Sequence, residues 1–382
     1  MPMKQDAYEI QFLTPAFLGG ADQSGQWRTP PIKALLRQWW RVAYAAEHGF
    51  DVDVAAMRKS EGELFGVAAN GSRGESRKSA LRLRLSHWGA GTLKKWAPRR
   101  AGLLRHPEVK PRNSDRPRPV DPFLYLGFGP LQGNGFGNDA DHAIAPGEQA
   151  ALKMAAPGSH EVQTRLLRRA CRMLDLYGTL GGRSRNGWGS FRLTPIDHTE
   201  GIDDSPLPVR DWREALALDW PHAIGCDEQG ALVWQTAPES EWEPLMKTLA
   251  EIKLAVRTQF LFQHGPTSNP ELRHWLAYPV MNHRVRSWGN DRLPNSLRFK
   301  IRRTEDGQLR AVIFHMPCRP PANPFQPDLH GLESVWGRVH GLLDELCLPK
   351  GERQYGTVDS DQNRRETLRP MLDGLSLERA PE

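Results

Sequence analysis

Apolar and polar residues alternate at the start of the chain: Tyr8, Ile10 and Phe12 are separated by Glu9 and Gln11. That spacing predicts a half-buried strand. After a turn at Gly19-Gly20-Ala21-Asp22 the period lengthens. Leu35, Leu36, Trp39, Val42 and Ala43 cover one side of a helix running from Thr29 to about Ala46. Thr29 stands near its cap, and Pro30 and Pro31 fall where the first turn tolerates a missing N–H. Leu81, Leu83 and Leu85 alternate with Arg82 and Arg84, so a strand here buries leucines and presents arginines. Glu148 to Met154 predicts another short strand. Val162–Tyr177 predicts a second amphipathic helix with Leu166, Leu167, Ala170, Cys171 and Leu174 inward, and Phe191–Ile196 a closing strand. Strand, helix, strands, helix, strand is the order of a ferredoxin-like, split βαβ unit.

A Pro/Asp-rich stretch at 201–210 reads as a linker. Beyond it the pattern predicts a hairpin around Gly225–Thr236, a helix from Glu241 to about Phe262, strands within 295–318 turned at Glu305-Asp306-Gly307, and a helix from about Leu332 to Leu346. The expected class is α+β: two ferredoxin-like (RRM-like) domains, 1–200 and 208–349, with long basic and glycine-rich insertions and a charged, flexible tail at 350–382. No sequence repeat is evident between the halves. Residues 70–78 read as a basic flexible loop. Lys94 to Arg118 holds nine Lys/Arg, two acidic residues and four prolines, which predicts an exposed insertion and not a packed element.

Charge sharpens the division. Of the 382 residues, 1–200 hold 29 Lys/Arg against 19 Asp/Glu, net +10, and 201–382 hold 22 against 26, net −4. A polyanion-facing half and a partner-facing half are the expectation. Cys171, Cys226, Cys318 and Cys347 lie far apart with no zinc-ligand spacing. They suit a reducing cytoplasm better than a disulfide scaffold. The first residues lack a secretory signal pattern, and no apolar run approaches transmembrane length. No metal or other cofactor is expected, and no membrane partner.

The chemistry concentrates in Gly181-Gly182-Arg183-Ser184-Arg185-Asn186-Gly187-Trp188-Gly189-Ser190-Phe191. Glycines let a backbone approach a ligand closely, successive N–H groups cradle anions, guanidiniums match phosphate, and an indole offers a stacking face. On the first helix Lys33, Arg37 and Arg41 form an i, i+4, i+8 basic stripe. Arg28 sits just before its N-terminus, where a phosphate would be received. The second helix adds Arg165, Arg168, Arg169 and Arg172 in one arc. Trp39 is expected in the core, and Trp40 there or at its rim. Gly127-Phe128-Gly129-Pro130-Leu131-Gln132-Gly133 has neither the spacing nor the following helix of a dinucleotide fingerprint, and no P-loop is present. Asp139, Asp141 and His142 are the one cluster that an acid–base or metal-assisted ribonuclease would use.

Four patterns together carry a family resemblance: Thr14-Pro15-Ala16-Phe17-Leu18-Gly19-Gly20, TPPIKALLRQWWR at 29–41, Ile144-Ala145-Pro146-Gly147, and the loop at 181–191. The chain resembles the RAMP proteins of CRISPR–Cas systems. Within them it is most similar to the first subunit of the type III-B Cmr effector complex, a likeness aided by Tyr125-Leu126-Gly127-Phe128-Gly129. The match is specific over 7–200 and weaker beyond. The resemblance implies two RAMP domains in an RNA-guided ribonucleoprotein of antiviral defence. It implies a non-catalytic role near the 3′ end of the guide CRISPR RNA and on the captured target RNA. Partners would be backbone, small and capping Cmr/RAMP subunits, with cleavage done elsewhere. Arg183, Arg185 and Asn186 carry over as RNA contacts, within a candidate set of Arg28, Lys33, Arg37, Arg41, Gly181, Gly182, Ser184, Gly187 and Trp188. The competing expectation is a RAMP-type endoribonuclease that processes or cleaves CRISPR RNA.

Overall fold

The computed structural model describes residues 3–381 apart from 21, 69–75, 99–101, 109–118, 134, 138–139, 158–160, 198, 200–204, 264 and 359–361. The chain divides into two compact units. One comprises Met1–Ala97, Gly129–Pro208 and Lys300–Arg303; the other comprises Pro98–Phe128, Val209–Phe299 and Thr304–Glu382. The division after Pro208 falls inside the expected linker.

In the first unit β1 (Met3–Phe12) leads to α1 (Thr29–Glu47) and α2 (Val54–Phe65). Then come β2 (Arg82–Leu85), β3 (Gln149–Pro157), α3 (Glu161–Tyr177) and β4 (Phe191–Ile196). The sheet order is β2-β3-β1-β4, every pairing antiparallel. Register explains the alternation in the sequence. Tyr8 stands opposite Leu152 and Pro195, Ile10 opposite Ala150 and Leu193, and Phe12 opposite Phe191. Those side chains form one buried face, apart from the half-buried Pro195. Each large apolar group so buried contributes about 1.5–3 kcal/mol relative to exposure. Helices α1 and α3 pack together. Trp39 meets Tyr177 at 6.0 Å between ring centroids and Trp40 meets Phe65 at 5.9 Å. Both tryptophans are core residues. Thr29 is the first residue inside α1, with Arg28 at the cap position.

The second unit opens with β5 (Val209–Asp211), β6 (Ile224–Asp227) and β7 (Gly230–Ala231), a small sheet of its own. Next come β8 (Val233–Gln235), α4 (Trp242–Thr258), β9 (Leu297–Arg303, whose last four residues are counted with the first unit), β10 (Leu309–His315) and α5 (Leu329–Glu345). The chain closes with α6 (Gln362–Leu372) and β11 (Glu378–Arg379). The main sheet runs β9-β10-β8-β11. Taking the strands of each main sheet in chain order, both run second, third, first, fourth. A repeat absent from the residues is thus present in the topology.

Two expectations are corrected here. The tail is not a flexible appendage. Leu368, Leu372, Leu375 and Leu377 are buried, and β11 pairs with β8 through Trp234 opposite Arg379. Buried Arg353 ties the segment down with hydrogen bonds to the carbonyls of Leu346, Leu348, Leu372 and Leu375. Leucines at spacings of two to four residues among the charges supply the apolar side. Nor is the basic insertion wholly outside the packing, or part of the N-terminal domain. Leu104–Arg105 pairs with Pro119–Val120, and Glu108 accepts two 2.7 Å hydrogen bonds from Arg273, which is buried. Phe123 meets Trp242 at 5.5 Å. A buried guanidinium requires compensating acceptors, and here the insertion delivers a carboxylate. Residues 109–118, and 70–75 of the predicted basic loop, lie outside the described residues.

Candidate nucleic-acid interface

The glycine-arginine loop is held by the segment that follows β1, so two motifs remote in sequence form one structure. Thr14 Oγ1 donates to Gly187 O at 2.9 Å and accepts from Ser190 N–H at 2.9 Å. Gly189 N–H donates to Pro15 O, and Gly182 N–H to Phe17 O, both at 2.9 Å. The approach requires glycine. Gly181 has φ +99°, and a Cβ on it would stand 2.7 Å from Phe17 O. Gly189 has φ +64°, and its Cβ would stand 1.8 Å from Leu180 O. Within the loop Asn186 N–H donates to Arg183 O and Gly187 N–H to Ser184 O, at 2.9 and 3.1 Å, forming consecutive tight turns.

Those turns place Arg183 outward, exposed and itself at φ +56°. Gly181, Gly182, Ser184, Arg185 and Asn186 are half-buried, and Gly187 is buried. The Arg183 guanidinium lies against Gly129: a Cβ built there would sit 3.8 Å from Nη2. Gly129 begins a second glycine-rich feature, whose Leu131–Gln132 pairs with Gly135–Phe136 as a hairpin. The segment rejected as a dinucleotide fingerprint is thus a neighbour of the loop.

Trp188 departs from expectation. It is fully buried, packed 5.3 Å from Phe17 and 5.7 Å from Trp96. Its ring is the plug under the loop and offers no face to a base. Glycines on both sides let the backbone turn inward there. Sequence spacing shows an aromatic between glycines but not which side of the surface it occupies.

The stripe on α1 is partly compensated within the fold. Glu61 on α2 is buried, with 3% of its side chain exposed. It accepts from Arg37 Nε, and from Arg41 Nε and Nη2 at 2.5 and 2.8 Å. Burial alone would raise the Glu61 pKa, but the two guanidiniums outweigh it and hold the carboxyl below its ordinary value. Arg37 and Arg41 keep 41% and 40% of their side chains exposed, leaving them available to an outside anion as well. Burial, then the nearby Arg37 charge, lowers the pKa of Lys33. Arg28 has its Nε shielded from solvent with no protein acceptor, and its side chain makes no cap to α1. The arginines of α3 are committed elsewhere in the unit. Arg165 pairs with Glu47, and Arg168 lies 4.0 Å from Asp6. Arg169 and Arg172 donate to the carbonyls of Pro206 and Ser205.

The motif at 144–147 is architectural. Gly147 takes φ +86° and donates to Phe12 O at 2.7 Å. The next residue, Glu148, accepts from Trp27 Nε1, Thr92 N–H, Thr92 Oγ1 and Ala145 N–H at 2.6–3.0 Å. Burial works against its ionisation, but these four donors win and its pKa is lowered. Of the acid–base cluster, Asp139 lies outside the described residues. Asp141 N–H is bonded to Ser24 Oγ, and His142 O accepts from Gly25 N–H. Among the described residues no three His, Cys, Asp or Glu side chains group as metal ligands, and no helix is long and apolar enough to cross a membrane.

Residues 9–192, which span β1 to the start of β4, match the family model of the RAMP superfamily. The clamped glycine loop lies within the matched residues. No curated protein matches significantly. Among solved structures, Cmr1 from Pyrococcus furiosus shares 14% identity over 86% of this chain and 92% of its own, with a TM-score of 0.44. A chain of the type III-B Cmr-beta complex bound to cognate target RNA shares 10% identity over 89% and 100%, with a TM-score of 0.47. A chain of a type IV-B CRISPR complex shares 15% identity over 56% and 100%, with a TM-score of 0.30.

Proposed function

We propose that this chain is a non-catalytic RNA-binding subunit of a type III-B CRISPR effector, built from two ferredoxin-like RAMP domains. It holds the 3′ region of the guide RNA and the captured target RNA. The RAMP match over 9–192 and the four sequence motifs support this reading. The observation that carries it is the clamp: Thr14, Pro15 and Phe17 fix a loop whose tight turns carry the exposed Arg183 and the half-buried Arg185. Prepositioned guanidiniums and amide N–H groups lose little freedom when they take a phosphate. Base identity in such a complex is read by guide pairing, so the protein needs shape and charge rather than a base code. Arg28, Lys33, Arg37 and Arg41 serve as further contacts, and the less basic C-terminal unit docks neighbouring subunits. A reducing cytoplasm is the setting.

Single-stranded RNA of mixed sequence, titrated at several salt concentrations, tests the reading. Arg183→Ala with Arg185→Ala is expected to weaken binding about tenfold. The log–log salt slope should fall by about 1.4, roughly 0.7 per phosphate contact removed. Equal affinity and equal slope in variant and parent would refute it. Divalent-dependent cleavage of a labelled CRISPR repeat by the purified chain, lost in Asp141→Ala or His142→Ala, would favour the endoribonuclease.

A further inference from the structure

The register of the first sheet lines up cations that no described residue neutralises by a hydrogen bond or ion pair. Opposite its apolar face, Arg84 stands directly across from Lys153, with Arg82 two residues along β2. Arg192, opposite Gln11 on β4, lies on the same face. All four are exposed, and none makes a hydrogen bond or ion pair with a described residue. The contrast with Arg37, Arg41, Arg165 and Arg168, each facing a carboxylate, is direct. Like charges directly opposed across two strands are destabilising, so the Arg84–Lys153 pair is a cost the free protein carries. Gln11 and Gln149 lie between them and Arg192, their amides 3.5 Å apart. Glu9 is the one carboxylate on that stretch of the face, among Ala7, Ala151 and Thr194. From Lys153 to Arg192 the span is two strands and four residues, about 16 Å from standard sheet spacings.

An aromatic stands beside this track. Just past β2, His87, itself exposed, meets the buried Trp27 at 5.4 Å, and the next residue, Trp88, is 63% exposed. An indole left in solvent at the edge of a cationic face is what single-stranded nucleic acid uses for base stacking.

We infer that the open face of β2-β3-β1-β4, with Trp88 at its edge, is a second contact surface for single-stranded RNA. Arg82, Arg84, Lys153 and Arg192 take its phosphates and Trp88 stacks a base. The inference rests on the reading of the chain as an RNA binder and adds a surface distinct from the glycine-arginine loop. RNA is favoured over an acidic protein because cationic and amide side chains make up most of the face, and the apolar groups that accompany them, half-buried Ile196 opposite Ala7 and Trp88 at the edge, form no contiguous patch along the register.

The test uses the full chain, a fluorescent uridine oligomer and, in a separate arm, a polyglutamate peptide. Arg84→Ala with Lys153→Ala is expected to lower RNA affinity about tenfold and the salt slope by about 1.4. Its melting temperature should hold or rise, because the like-charge pair is gone. Trp88→Ala is expected to lower affinity about tenfold with the salt slope unchanged, the signature of stacking. Unchanged RNA affinity in both variants, while Arg183→Ala with Arg185→Ala still loses it, would overturn the sheet-face surface and leave the loop intact. Failure of the parent chain to bind RNA would overturn both. Polyglutamate binding that the sheet variant abolishes while RNA binding persists would assign the face to an acidic protein and overturn the inference.

Discussion

Replacing Gly189 by alanine is expected to destabilise the first unit by about 3 kcal/mol or more and to abolish RNA binding with it. Two effects add. A residue with a Cβ at φ +64° costs about 1–2 kcal/mol. The new methyl would also stand 1.8 Å from the Leu180 carbonyl oxygen, too close for any non-bonded pair. The strand cannot give way cheaply, because Gly189 N–H is fixed to Pro15 O while Leu180 N–H donates to Gly189 O. Relief requires lifting the loop off the Thr14–Phe17 segment, which also withdraws Trp188 from its buried site. For a unit of this size the expected fall in melting temperature is about 6–12 °C. Gly133→Ala is the control, since it shares the left-handed backbone at φ +54° but meets nothing within 4 Å. It should cost only the conformational part. Thermal unfolding of both variants, followed by RNA titration, checks this. Equal melting temperatures would show that the clamp is not what holds the loop.

Acid is expected to unfold the second unit selectively. His315 and His340 are buried side by side, His340 Nε2 2.9 Å from His315 Nδ1, with Ser296 Oγ 2.9 Å from His315 Nε2. Trp336 stacks on His315 at 4.1 Å, and Trp212 meets His340 edge-on at 5.0 Å. Burial, then the charges of Arg379 and Arg213, pushes His340 down to about 3. Burial, then His340 and Arg298, pushes His315 well down too. Both imidazoles are therefore neutral in the folded unit near pH 6.5 and below, where the unfolded chain protonates them. Stability is full above the unfolded value of 6.5 and is lost as pH falls towards about 3. The loss is about 1.4 kcal/mol per pH unit for each histidine. Between pH 6.5 and 5 His340 alone should remove about 2 kcal/mol, and His315 acts in the same direction. Hydrogen exchange of the 309–315 amides, compared at pH 7 and pH 5 after correction for intrinsic rates, reads this locally. His340→Gln should be less stable at pH 7 and lose close to half of the pH slope. An unchanged slope would show that other groups govern acid sensitivity.

The elements with clean periodicity were readable from the chain. Tyr8-Ile10-Phe12, the α1 face and the Leu81–Leu85 alternation appear as strand, helix and strand. What the residues could not show is pairing at a distance. Glu61 neutralising two members of the α1 stripe, and Glu108 meeting Arg273 far along the chain within the second unit, depend on tertiary neighbours that no local pattern encodes. The tail was misread because its leucines are diluted by charge, and charge density hides a narrow apolar stripe. Trp188 was misread for the opposite reason, since glycine-rich surroundings suggest surface. The Arg82 and Arg84 signal was visible as alternation, but only register places Lys153 beside it.

Ultraviolet cross-linking of the protein to single-stranded RNA, mapped by mass spectrometry, tests the central claim most directly. The account predicts cross-links in peptides carrying residues 181–187 that diminish as salt is raised. Cross-links confined to the C-terminal unit, with the loop peptides unmodified at low salt, would contradict it.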